Sequence, residues 1–152
     1  MNHEAYSDAY VRGVLSSTET IAMVGASANA ARPSYGVMQF LLQRGFRVTP
    51  INPGLAGQDL QGQKVYASLH DVPHAIDMVD VFRAGDAVAA LVDEILQLPT
   101  LPKVLWMQLG VFDAEAAARA EEKGIIVVMN RCPVIEMHRL HMCCCGVSFM
   151  ND

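Results

Sequence analysis

Seven polar residues stand at or just past the ends of short apolar runs, and three of them are arginines. Ser27 and Arg32 follow the run Thr20–Val24, Asn52 follows Phe46–Ile51, and Arg83 follows Ile76–Phe82. Gln108 ends Lys103–Gln108, and Asn130 and Arg131 follow Ile125–Met129. A guanidinium group presents a planar fork that matches phosphate in a bidentate way, which lysine does not. The first of these loops has a second means of holding an anion. Gly25 breaks the run, Ala26 and Ser27 keep the bend small, and a helical pattern follows over Ser34–Arg44. Strand, tight small-residue loop and helix together aim backbone N–H groups and a helix N-terminus at negative charge.

Other chemistries fit less well. The dinucleotide fingerprint G-x-G-x-x-G is absent, because Ser27 stands where the second glycine belongs. The second run ends in Asn52 and not in the acidic residue that would take a ribose 2′-hydroxyl. The five histidines, His3, His70, His74, His138 and His141, show neither metal-ligand spacing nor a nucleophile–base arrangement. His138, near Glu136, is the one expected beside the loops just described. Asp77 and Asp80 are three apart in an extended run, hence on opposite faces, which argues against a paired-carboxylate site.

Composition sets the frame. A chain of 152 residues with 52% apolar and 18% charged residues is the size of one domain and can bury a core. The net charge of −5 disfavours nucleic acid and anionic membrane surfaces as partners. No apolar stretch approaches the ~20 residues that span a bilayer, and the N-terminus does not read as a signal peptide, so a cytoplasmic location is expected. Four cysteines, three of them the consecutive Cys143, Cys144 and Cys145, are not a disulfide framework. The cysteine triplet reads as part of a partly buried tail. The nine methionines are scattered core filler.

The positioning elements follow from periodicity. Five apolar runs alternate with helical patterns, the clearest at residues 85–98, where Val88, Leu91, Val92, Ile95 and Leu96 recur at steps of three and four. A second, Asp113–Lys123, opens on a good N-cap and stops at Gly124. Shorter helices are expected over residues 4–16 and Val134–Leu140. Residues 54–70 read as a Gly-rich connection, with a short extended piece at Lys64–Leu69. The pattern predicts an α/β fold: a doubly wound parallel five-stranded sheet, Rossmann-like, in three α/β/α layers, with strand order 3-2-1-4-5. Its ligand crevice would then lie between the first and fourth strands. The chain reads as a single unit over 1–152, with residues 1–19 packed on it and 141–152 as a tail.

Five segments in order also carry a family resemblance: Gly25-Ala26-Ser27, Ile51-Asn52-Pro53, Val79-Asp80-Val81-Phe82-Arg83, Trp106-Met107-Gln108-Leu109-Gly110 and Asn130-Arg131-Cys132. The chain resembles the small single-domain CoA-binding proteins, which are similar to the CoA-binding domain of the succinyl-CoA synthetase α subunit. The resemblance implies coenzyme A or an acyl-CoA as ligand, held without a known reaction by a carrier or sensor. It implies that Gly25, Ala26 and Ser27 face the diphosphate, that Arg32 pairs with phosphate, and that Asn52 and Pro53 lie near the adenosine end. It places Phe82, Arg83, Gln108, Gly110, Asn130, Arg131 and Cys132 in the remaining loops of the site. Cys132, beside Arg131 at a strand end, would suit a mixed disulfide with the CoA thiol, against a plain packing role. Two other readings stay open: a detached nucleotide-binding subunit of an acyl-CoA synthetase-like enzyme, and a NAD(P)-binding redox sensor. The apolar-rich composition leaves room for a homodimer.

Overall fold

The computed structural model describes residues 2–83 and 86–142. Five parallel strands form its central sheet: β1 (Thr20–Val24), β2 (Arg47–Ile51), β5 (Met78–Val81), β6 (Val104–Met107) and β7 (Ile126–Val128). β3 (Asp59–Leu60) and β4 (Gln63–Lys64) make a separate small hairpin between β2 and β5. The helices are α1 (Asp8–Ser16), α2 (Pro33–Gln43), α3 (Ala87–Leu96), α4 (Ala114–Glu122) and α5 (Pro133–Arg139). β5 and β6 are buried along their whole length, as expected of parallel strands covered on both faces. One face packs apolar residues of α1, α2 and α5, the other those of α3 and α4, giving the three layers that the alternation predicts.

Local signals placed most helix ends. Asp113 accepts a hydrogen bond from the Ala116 N–H at 3.0 Å and starts α4. α1 is shorter than residues 4–16 because Ser7 caps it, accepting from the Tyr10 N–H at 3.1 Å. Pro33 opens α2, where its missing N–H costs nothing. The Gly-rich connection forms the β3–β4 hairpin and short 3-10 turns at Pro53–Leu55 and Leu69–Asp71.

The expected strand order is corrected. The sheet runs β2-β1-β5-β6-β7, which is 2-1-3-4-5 in the order of its five strands and not 3-2-1-4-5. Ile21 of β1 is in register with Val48 on one side and Met78 on the other. Pro50 gives the reason. Its carbonyl points away from β1 and accepts from the Tyr66 N–H at 3.1 Å, so its missing N–H also faces outward. A strand outside β2 would lose a ladder bond there, and a proline of this kind belongs on an edge strand. Among the described residues only Tyr66 makes a β-bridge to that edge. The point where strand order reverses therefore lies between β1 and β5, the usual place for a ligand in this topology, and not between the first and fourth strands.

Two buried side chains stand out on the α1/α2/α5 face. Trp106 of β6 is fully buried and donates its indole N–H to the Arg131 carbonyl at 2.9 Å, tying the sheet to the loop after β7. Trp106→Phe keeps most of the bulk but leaves that carbonyl unpaired. We expect a loss of ~1–3 kcal/mol, read as a lowered urea midpoint with unchanged slope. Asp80 of β5 is also fully buried, in register with Met23 and Trp106. Neither of its carboxyl oxygens has a hydrogen-bond partner among the described residues, and burial pushes its pKa up to about 8. Asp77, by contrast, precedes the strand. Burial alone would raise its pKa, but N–H groups of Glu19 and Thr20 and the nearby Lys103 outweigh that and hold it low. The two acids thus differ in environment. Among the described residues no helix is long and apolar enough to cross a membrane.

Candidate functional site

Gly25 lies at the carboxyl end of β1 with φ +93°, a conformation that favours glycine. The bend is tight. A Cβ at this position would lie 3.2 Å from the Phe82 Cβ and 3.3 Å from the Arg83 Cγ. Glycine here thus lets the loops after β1 and β5 meet. Asn52 fixes the bend from the β2 side. Its Nδ2 donates to the Ala26 carbonyl at 2.8 Å, and its Oδ1 accepts from the Gly54 N–H at 2.8 Å. Ser27 and Asn29 each accept from a backbone N–H two residues on. The N–H groups of Ala26, Ser27 and Ala28 have no acceptor among the described residues.

These loops enclose a cavity of about 520 Å³. Of the residues expected at the site, Gly25, Ala26, Ser27, Arg32, Asn52, Phe82, Arg83 and Gln108 line it. Gln108 is 6% exposed, and its amide oxygen, itself buried, has no hydrogen-bond partner among the described residues. A buried acceptor left unpaired is costly, and a rotation of the side chain that turned it into the cavity would offer it to a donor on a ligand. Pro33, Ser34, Leu109 and Val111 also line the cavity. The sequence reading missed them. Ser34 was visible as a small polar residue at the helix start, whereas Leu109 and Val111 look like ordinary apolar loop residues. Pro53 lies in an adjoining cavity of about 260 Å³, and Arg83 borders both.

The remaining expected residues are placed elsewhere. Gly110 has φ +83° and donates its N–H to the Asn130 Oδ1 at 2.8 Å, so the two clasp the loops after β6 and β7. Asn130 and Arg131 line a different cavity of about 740 Å³, with Phe112 and the N-terminal residues Asn2, His3 and Glu4. Cys132 is buried in the apolar core and lines none of these cavities. A sulfur packed there is not presented to a thiol, and the packing role is the one its surroundings support. His138 is not beside the loops either. It packs against the Phe40 ring at 5.1 Å and borders a cavity with Arg44 and His141, because α5 carries it away from the strand ends. Cys143, Cys144 and Cys145, and most of the expected tail, lie outside the described residues. No cluster of three or more metal-ligating side chains occurs among the described residues.

The first cavity thus offers backbone N–H groups unpaired among the described residues, two guanidinium groups and the Gln108 side chain at the point where strand order reverses. That set suits an elongated ligand carrying phosphate and at least one N–H donor.

Comparison with known proteins agrees with this topology. A family model described as a CoA binding domain matches residues 19–138. YneT of Bacillus subtilis (strain 168), an uncharacterized protein, is 32% identical over 126 residues, covering 83% of this chain and 90% of its own. The solved structure of cell-free ID.343 from Thermus thermophilus is 37% identical, with a TM-score of 0.83, over 89% of this chain and 99% of that one. The fold also recurs in acetyl-coenzyme A synthetase 1 of Ca. Korarchaeum cryptofilum, at 27% identity and a TM-score of 0.62. That match covers 72% of this chain but 25% of the synthetase. On the extent of these matches, the chain belongs to the CoA-binding-domain family.

Proposed function

We propose that the protein binds coenzyme A, free or acylated, in the cavity between β1 and β5, and acts as a carrier or sensor. The observation behind this reading is the convergence of the Gly25 bend, Arg32, Arg83 and Gln108 on one space of about 520 Å³. The free N–H groups of Ala26 to Ala28 suit the diphosphate. Arg32 and Arg83 supply charge for the phosphates. Gln108 suits an amide N–H of the pantetheine arm. The adjoining cavity at Pro53 is where the adenosine end fits, with Arg83 between the two parts.

A thermal-shift panel of CoA, acetyl-CoA, NAD, NADPH and ATP tests this. Ligand at ~100 times its dissociation constant adds ~2.7 kcal/mol, which for a chain of this length is roughly 5–10 °C. We expect that response from CoA and acetyl-CoA. A flat response to both, with a clear one to NAD, would overturn the assignment. Arg32→Ala separates the phosphates. If Arg32 holds the 3′-phosphate, CoA weakens about tenfold while dephospho-CoA is little changed; equal losses reassign it to the diphosphate.

A second reading follows from the likeness to the acetyl-CoA synthetase: a nucleotide-binding half that works with a partner subunit. Stoichiometric co-purification of a partner would favour it. The NAD(P) reading is weaker. The end of β2 carries Asn52, held by the backbone of Ala26 and Gly54, and not the acidic residue that takes a ribose 2′-hydroxyl in dinucleotide sites.

A further inference from the structure

The sheet order sets its carboxyl-end loops in a row, and two cavities share that row. The first takes its walls from loops after β2, β1, β5 and β6; the second, of about 740 Å³, takes them from loops after β6 and β7 and from the N-terminal residues Asn2, His3 and Glu4. One loop divides them: Val111 borders the first cavity and Phe112 the second. A ligand lying along the strand ends and leaving the first cavity past Gln108 and Leu109 meets the second next.

The second cavity combines apolar and cationic surface. Phe112 is 68% exposed, unusual for a ring on a short loop, and Met129 adds apolar wall. Arg131 is held in place without a carboxylate. Its Nη1 donates to the carbonyls of Met129 at 3.4 Å and Asn130 at 2.9 Å, and its Nη2 to that of Glu4 at 3.1 Å. Its guanidinium carbon lies 4.9 Å from the centre of the Tyr6 ring. None of the ion pairs among the described residues involves it. Among the described residues these three bonds leave at least two of the five N–H donors, the Nε–H and one on Nη2, without an acceptor and available to an anion. A cation fixed by neutral carbonyls and an aromatic face is preorganised for an anion and has not been neutralised by the protein.

We infer that the second cavity receives the acyl end of a CoA thioester, and that Arg131 selects acyl groups ending in a carboxylate. This rests on coenzyme A occupying the first cavity. Phe112 and Met129 would cover the methylene chain, and Arg131 would close on the terminal charge.

The test compares CoA, pentanoyl-CoA and glutaryl-CoA by calorimetric titration. The two thioesters share a five-carbon chain and differ in the terminal carboxylate. The native protein should bind glutaryl-CoA about tenfold more tightly than pentanoyl-CoA. Arg131→Gln should erase that preference and leave CoA itself within about twofold. Equal binding of the two thioesters by the native protein overturns the inference, and this arm needs no variant to fold. A uniform loss for all three ligands in Arg131→Gln also overturns it, since Arg131 would then serve a phosphate. Phe112→Ala, at an exposed position, should weaken both thioesters severalfold and leave CoA unchanged; no effect on either removes the acyl chain from this cavity. Failure of CoA itself to bind would defeat the reading of the first cavity, an outcome distinct from CoA binding without discrimination.

Discussion

Asp80→Asn is expected to remove a loss of stability that the native protein shows between about pH 4 and pH 8. The carboxyl lies fully buried in β5, between Met23 and Trp106, with no hydrogen-bond partner among the described residues. Burial disfavours its charged form and raises its pKa to about 8, against ~3.9 in an unfolded chain. The sign follows. Below pH ~4 both states carry the proton and the group has no pH-dependent effect. Between ~4 and about 8 the unfolded chain releases the proton while the folded chain keeps it. Stability therefore falls as pH rises, by ~1.4 kcal/mol per unit, and levels off above the folded pKa. The total is on the order of 5 kcal/mol, a large part of what a domain of this size possesses. Asparagine keeps the shape and cannot ionise. Urea denaturation of both proteins from pH 4 to pH 9 should give curves that agree at the acid end and diverge toward the alkaline end, with the variant the more stable. Curves that stay parallel would show that Asp80 finds a partner for its charge.

Gly25→Ala carries the second large effect, on both stability and ligand. With φ at +93°, an alanine here bears backbone strain of ~1–3 kcal/mol. Its methyl would also meet Phe82 at 3.2 Å and Arg83 at 3.3 Å, which pushes the loop after β5 away from the bend. Arg83 borders both the main cavity and the adjoining one, so displacing it should reduce CoA affinity by tenfold or more. Gly110→Ala is the control. Its φ of +83° imposes similar strain, but nothing lies within 4 Å of an added Cβ. Both variants should therefore lose stability in urea, Gly25→Ala the more, and Gly25→Ala alone should lose most of its CoA response in the thermal-shift panel. Equal loss of CoA binding by the two would mean that the approach of β1 and β5 is not what shapes the site.

Much of this architecture was legible one segment at a time. Asp113 starting α4, Gly124 stopping it and the apolar run of β5 are local facts of propensity, capping and period, and each held to within a residue or two. The loop after β1 and its arginine were legible for the same reason, since a glycine bend between strand and helix acts on the residues beside it. Strand order was not local. It depends on which edges of a strand can donate, and Pro50, inside the run Phe46–Ile51, held that information.

The site divides along the same line. Its chemistry, guanidinium groups and small residues at strand ends in an acidic chain, is written in residue type and position, because side-chain character does not depend on partners. What only the tertiary structure decided is company. Arg32 and Arg83 share one cavity, Arg131 stands in another on the far side of the β6–α4 loop, and Cys132 turns into the core. Those outcomes are set by how β6 and β7 lie beside each other and by contacts such as Gly110 with Asn130, which join residues twenty positions apart. No spacing along the chain records them, because each depends on the packing of all the layers at once.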